Sequence, residues 1–455
     1  MSPFSLVFIA VLGVAFLLFL VIKVRLQAFV ALLLSSFLIA LLARVPLQDI
    51  AGVIQEGMAN TMGYIAIVVG LGTMFGEMLR ITGGAERLAE TLVGSFGKER
   101  AQWALALTGL IVAIPVFFDV GLIILIPLVY SLAQRTGRSL LYYALPLAAG
   151  LAIAHSYIPP TPGPVAVASL IGADLGWVIL FGAIAGVPAV IVGGIFFSKY
   201  IAGQIHVEVP QYMMLENQTQ QTEDDFSRVS KEPPSFGIII SIIAIPLVLI
   251  LLNTIAGVVL PEDNFLRNLL VFLGHPFSAL LIAVLLAFYF LGIRHGYSRA
   301  QIQDIATRSL EPVGLIILVT GAGGVLGRVL VESGIGDALA ELMAASNLPI
   351  ILLAFLIATA VRVSQGSATV SMVTAAGIMA PVVESGNFSA PLVGLITIAI
   401  ASGATVLSHV NDSGFWLVNR YLGMTEADTL KSWTVLETIL GVVGFLVVFI
   451  ISFFV

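Results

Sequence analysis

The sequence predicts an all-α polytopic membrane protein built from two inverted repeats, each with five crossings, one re-entrant hairpin and one broken helix. Three observations lead there. Of 455 residues, 59% are hydrophobic and only 10% charged, with a mean hydropathy of +1.08, whereas soluble domains carry about 25% charged residues. Apolar runs long enough for a bilayer recur along the whole chain. Polar, Gly- and Pro-rich interruptions fall at matching places in the two halves.

Runs able to cross roughly 30 Å of hydrocarbon lie near 4–22, 26–43, 57–79, 176–198, 236–256, 274–293, 309–330 and 433–455. The first lacks the basic flank of a cleavable leader and reads as a retained span. Two more crossings, near 140–173 and 391–424, contain His155-Ser156-Tyr157-Ile158-Pro159-Pro160-Thr161-Pro162-Gly163-Pro164 and Ser408-His409-Val410-Asn411-Asp412-Ser413-Gly414. Helix does not run through such sequence, and unwound backbone at membrane depth must line a cavity or be buried in protein. Segments 101–134 and 347–384 are split near their middles, around Asp119 and around Arg362 to Thr369. Each is either a pair of full spans or a re-entrant hairpin; the polar tips favour re-entry.

The halves match in order. Gly72 corresponds to Gly323, Gly76 to Gly327, Gly83 to Gly334 and Gly163 to Gly414 at a spacing of 251 positions; Pro127 to Pro381 and His155 to His409 are 254 apart. An odd number of crossings per half inverts the second repeat. With Lys23 and Arg25 inside, 16 of the 20 Lys and Arg residues fall on the inner side and only Arg44, Arg267 and Arg328 outside, as the positive-inside rule requires. The N-terminal repeat is placed at 1–202, a cytoplasmic linker at 203–235, and the C-terminal repeat at 236–455. In carriers of this architecture the ligand site lies at the repeat interface near the midplane.

Candidate site residues follow from their depth. Asp119, a carboxylate among apolar runs, is expensive there and points to a proton or cation. Arg362, the one basic residue in a long apolar stretch, suits a carboxylate ligand, though it could instead pair with Asp119 or cap a helix. Ser364, Ser367 and Thr369 add neutral donors and acceptors, and Gly366 lets backbone approach a ligand. Helix N-termini following each tip would favour an anion as well. His155 and His409 could read hydroxyls or relay protons. Asn411, Asp412 and Ser413 form a polar cluster suited to a polyol or to proton handling, and Thr161 offers a further hydroxyl.

The sequence holds no cysteine, which excludes disulfides and thiolate sites. It shows no HExxH, no GxSxG and no Walker motif, so neither enzyme chemistry nor a cofactor or metal is expected. Gly321-Ala322-Gly323-Gly324 reads as close helix packing. No basic cluster suggests nucleic acid; the bilayer and a small anion are the expected partners.

At Phe117-Phe118-Asp119-Val120-Gly121, at His155 with Pro159-Pro160-Thr161-Pro162-Gly163-Pro164, at Gln365-Gly366-Ser367-Ala368-Thr369-Val370 and at Ser408-His409-Val410-Asn411-Asp412-Ser413-Gly414-Phe415-Trp416, the chain resembles the gluconate permease family of bacterial proton symporters. The resemblance runs over nearly the whole length. It implies import of gluconate or a related sugar acid with protons across the bacterial cytoplasmic (inner) membrane, by alternating access. The wider ion-transporter group implies a scaffold and a mobile domain carrying the hairpins, often in a homodimer. Many gluconate members carry histidine where Thr161 stands. The family's D-serine branch differs at the position of Arg362 and lacks the pattern around His409, which sets this chain on the sugar-acid side; a D-serine or other hydroxy-acid permease is the alternative, with an anion channel behind it. Arg362 would then hold the carboxylate, Ser364, Ser367, Thr369, Asn411 and Ser413 would read hydroxyls, and Asp119, Asp412, His155 or His409 would carry the proton. Sodium in place of the proton stays open.

Overall fold

The computed structural model describes residues 2–97, 100–210, 233–311, 313–335, 338, 348–410 and 412–455. Every regular element among them is helical, and ten helices are long and apolar enough to cross a membrane. The protein is a multi-pass membrane protein. Its helices, in chain order, are α1 (Pro3–Ile22), α2 (Ala28–Leu42), α3 (Leu47–Ile81), α4 (Gly84–Phe96), α5 (Ala101–Val112), α6 (Phe118–Thr136), α7 (Leu141–Tyr157), α8 (Pro162–Ile171) and α9 (Leu175–Gln204). The second half contains α10 (Phe236–Val259), α11 (Phe265–Gly274), α12 (Pro276–His295), α13 (Arg299–Arg308), α14 (Val313–Glu332), α15 (Ile350–Gln365), α16 (Ala368–Ser385), α17 (Ala390–Thr405), α18 (Ser413–Leu422) and α19 (Glu426–Ile451).

Several elements differ from the hydropathy reading. The run at 57–79 is the inner part of α3, whose 35 residues extend about 50 Å at 1.5 Å per residue, well beyond the hydrocarbon. Its polar first turns are helical because tertiary packing against α14 holds them. The short helices α4, α11 and α13 were below the length that hydropathy detects. Most of the linker, 211–232, lies outside the described residues. Its first residues do not hang free: Ser139 Oγ donates to Ile205 O at 3.0 Å, and Val207 O accepts from Leu140 N at 2.8 Å.

The two split segments form similar pairs. α5 and α6 are separated by a break at Pro115–Phe117, and α15 and α16 by Gly366 and Ser367. Pro115 opens the first break; at the second, Gly366 adopts φ 91°, a conformation that side chains resist. α5 has 12 residues, about 18 Å of helix, which is too short to cross. Each pair packs beside its own broken helix, α5 on α7 and α15 on α17. Gly109 and Gly150 make the first contact possible, since a Cβ on Gly109 would lie 2.3 Å from Leu147 O and one on Gly150 2.2 Å from Ala106 O.

α3 and α14, which carry the corresponding glycines, pack antiparallel. Arg328 near the end of α14 pairs with Glu56 near the start of α3 at 3.1 Å. Gly57 and Gly324 bring the backbones into contact: a Cβ on Gly324 would lie 2.7 Å from Gly57 O. The expected packing role of Gly321 to Gly324 is what the structure contains. One large core joins α3–α9 to α15–α19, and a smaller one holds α1, α2, α3 and α14 together.

Candidate binding cavity between the helix breaks

The unwound backbone at both interruptions is enclosed by protein. α7 ends at Tyr157 and α8 begins at Pro162; across this region 89% of the most apolar stretch is buried. Proline without an N–H is well placed at the first turn of α8. α17 ends at Thr405 and α18 begins at Ser413, with Asp412 capping it by accepting from Gly414 N at 3.1 Å.

A cavity of about 410 Å³ lies where the four breaks meet. It is lined by Phe117, Phe118 and Asp119 at the start of α6, Pro162 at the start of α8, Ser367 to Thr369 at the start of α16, and Asp412 to Gly414 at the start of α18. Four helix N-termini therefore border one space. Their positive dipole ends favour an anion. Ala152, His155 and Ser156 of α7, Ile316 of α14, Arg362 of α15, and Trp433 and Glu437 of α19 complete the wall. The volume lies within the range typical of small-molecule sites.

Arg362 is the cation of this cavity. It is 2% exposed, and its Nη2 donates to Asp412 Oδ2 at 2.6 Å. Asp412 Oδ2 also accepts from Ser408 Oγ at 2.5 Å, and Ser408 Oγ in turn accepts from Trp433 Nε1 at 2.7 Å. Thr434 Oγ1 donates to Ser408 O. The carboxylate is thus committed to three donors. Arg362 Nε and Nη1 have no partner among the described residues.

Of nine buried side-chain polar atoms without a partner among the described residues, four belong to this wall: Arg362 Nε and Nη1, His155 Nδ1 and Glu437 Oε1. Buried polar groups are nearly always satisfied, and each exception costs about 1–3 kcal/mol. Their concentration here marks a place where polar groups are held ready rather than paired internally. The Phe117 ring meets His155 edge-on at 6.1 Å. Phe117 also lines a second cavity of about 380 Å³, between α3, α6 and Arg308–Ser309, on the side of Arg80.

The predicted residues divide. Asp119, His155, Arg362, Ser367, Thr369, Asp412 and Ser413 come together at the cavity. Asp119 is exposed to it. Ser364 does not join them; its hydroxyl donates to Ala360 O at 2.7 Å, one turn back on its own helix. Thr161 donates to Ile158 O at 2.7 Å and borders a small adjoining space instead. His409 Nε2 lies 3.0 Å from Val363 O, and so ties the α18 break to the α15 tip. Gly366 acts through its backbone as the end of α15. Asn411 lies outside the described residues. Arg362 pairs with Asp412, not with Asp119. Sequence reasoning passes over Glu437 and Trp433. Yet Glu437 is the sole charged residue between 433 and 455, the signal by which Asp119 and Arg362 are found. Trp433 sits in a π-helical turn, Leu430–Thr434, an irregularity common at functional sites and invisible to hydropathy.

A family model described as GntP family permease matches residues 5–454. The low-affinity gluconate transporter of Escherichia coli K12 is 42% identical over 450 residues, covering 98% of each chain. A gluconate permease of Pseudomonas aeruginosa is 37% identical over 442 residues, covering 96% of this chain and 95% of its own. The Gnt-II system L-idonate transporter of Escherichia coli K12 is 36% identical over 440 residues, covering 97% of each. Among solved structures, the Alcanivorax borkumensis YdaH transporter, described as having an unusual topology, superimposes with a TM-score of 0.63 at 15% identity, covering 90% of each chain. At that identity the likeness is one of fold.

Proposed function

The chain belongs to the GntP permease family, and from that premise we propose that it is a secondary carrier of the inner membrane. It imports gluconate or a related aldonate together with protons by alternating access. The observation that carries the ligand class is Arg362, buried in the cavity wall with Nε and Nη1 unpartnered, where four helix N-termini also border the space. A ligand carboxylate placed beside Arg362 gains charge-assisted hydrogen bonds and the helix-end fields. Ser367, Thr369 and Ser413 supply hydroxyls suited to a polyhydroxy chain. The relatives named for gluconate and for L-idonate favour the aldonate class over serine.

The short first arm α5, the matching breaks within both split segments and the antiparallel α3–α14 pair support an inverted repeat, with α5–α6 and α15–α16 as re-entrant hairpins. Phe117 lines both the main cavity and the one beside Arg80 and Arg308. That position suits a residue gating passage toward the inner side. No nucleotide motif supplies energy, so an ion gradient does.

The test is uptake into proteoliposomes under an imposed pH gradient, inside alkaline, with labelled gluconate, L-idonate, D-serine and a dicarboxylate. Concentration of an aldonate above equilibrium is expected. Concentration of serine alone, or equilibration of every compound without accumulation, would contradict the reading.

A further inference from the structure

Glu437 lies one helical turn beyond Trp433 on α19. It is 5% exposed, lines the main cavity, and its Oε1 has no hydrogen-bond partner among the described residues. An ionised carboxylate buried without partners is costly, and an acid within a spanning segment marks an ion pathway by default. The ionisable groups facing it come from several elements. Arg362 of α15 and Asp412 at the α18 cap lie within its electrostatic reach. Asp119 of α6 and His155 of α7 share the cavity wall, and Tyr157 of α7 lies close enough for its phenol to sense the carboxylate.

The acids differ in what a proton would cost them. Asp412 accepts from Arg362, Ser408 and Gly414, so protonating it disrupts bonds that hold the break together. Asp119 lines the cavity in the first turn of α6, where the positive helix end favours its charged form. Glu437 Oε1 can take a proton without giving up any bond.

We infer that Glu437 carries the coupling proton and that Arg362 links it to the substrate. This rests on the aldonate reading above. With no anion beside it, the Arg362 guanidinium favours ionised Glu437. When a substrate carboxylate docks, it offsets that positive charge, and Glu437 takes up one proton from the open side. One anion and one proton then cross together, and the net charge of the occupied site equals that of the unoccupied one. When the anion leaves on the other side, Arg362 again favours the ionised carboxylate and the proton departs. By linkage, protonation strengthens anion binding by the same factor as anion binding strengthens protonation.

The experiment uses the full chain in proteoliposomes as wild type, Glu437→Gln and Glu437→Asp. Two readouts are taken: exchange of labelled gluconate without a pH gradient, and accumulation driven by one. Glutamine imitates the protonated acid, so Glu437→Gln exchanges substrate but loses all gradient-driven accumulation. Glu437→Asp keeps accumulation with a displaced pH midpoint. A residue with only a packing role would lower both readouts together and leave the midpoint alone. Accumulation by Glu437→Gln at the wild-type level overturns the inference. So does a Glu437→Asp pH profile that superimposes on wild type, and that comparison decides alone if Glu437→Gln is not recovered folded. Failure of the wild type to exchange gluconate sinks the aldonate reading, and this inference with it. Wild-type exchange with unimpaired Glu437→Gln accumulation overturns the inference only.

Discussion

Arg362 and Asp412, fifty positions apart, form a buried ion pair that joins the tip of α15–α16 to the break before α18. Breaking such a pair from one side leaves an uncompensated charge, which costs about 3–5 kcal/mol. Arg362→Ala and Asp412→Ala are therefore each expected to destabilise the protein by that order. The double substitution is expected to recover part of the loss. Denaturation in detergent micelles checks this by a double-mutant cycle; strictly additive losses would show that the two residues are not energetically coupled.

The hydroxyls at the cavity separate from those that only look suitable in sequence. Ser413→Ala and Thr369→Ala are expected to raise KM for gluconate by roughly three- to tenfold, the worth of one neutral hydrogen bond. Ser364→Ala changes it less, because that hydroxyl already serves Ala360 O. Initial-rate uptake measures the difference. Equal effects at Ser364 and Ser413 would count against the cavity as the binding site.

Close packing at the first tip is testable with one methyl group. A Cβ on Gly76 of α3 would stand 1.9 Å from Pro115 O, so Gly76→Ala must push the Pro115–Phe117 break away from α3. A cost of about 1–3 kcal/mol is expected, with loss of uptake. Gly52→Ala, on the same helix with nothing within 4 Å, is the control, and its greater helix propensity predicts a neutral or slightly stabilising change. Thermal melts of the two variants distinguish them.

The helix α4, outside the spans, contains a pH-dependent element. Burial raises the Glu86 carboxyl from its ordinary 4.5 to about 6, with Arg80 opposing the effect, and Oε2 has no partner among the described residues. The folded protein therefore holds a proton that the unfolded chain has lost between those values, so stability falls as pH rises from 4.5 to 6. Above pH 6, Glu86→Gln is expected to be more stable than wild type by up to about 2 kcal/mol. The difference should vanish below pH 4.5. A melting-temperature difference independent of pH would contradict this.

Much of the architecture was legible in the chain because breaks in apolar sequence are local. The interruptions after Tyr157 and after Thr405, and the tips at Pro115–Phe117 and Gly366, follow from proline, glycine and polar residues at membrane depth. Which residues then meet is not local. Ser364 and Thr161 have the right chemistry, but both lie where a backbone carbonyl three or four residues back takes up the hydroxyl. His409 matches His155 by position, yet it faces Val363 O while His155 faces the cavity, because α15 and α5 present different tips to the two breaks. The partner of Arg362 was set by how α15 packs beside the α18 break, and no spacing rule fixes that. Glu437 was within reach of sequence reasoning, since depth and isolation mark it as they mark Asp119.

The central claim is that Arg362 holds the carboxylate of an aldonate inside the cavity. It is tested most directly by calorimetric titration of gluconate into the purified protein, wild type against Arg362→Lys. Lysine keeps a positive charge but not the guanidinium donors Nε and Nη1. The account predicts binding to wild type and at least about tenfold weaker binding to a folded Arg362→Lys, the loss of one charge-assisted hydrogen bond. Equal affinity in the two proteins would contradict it.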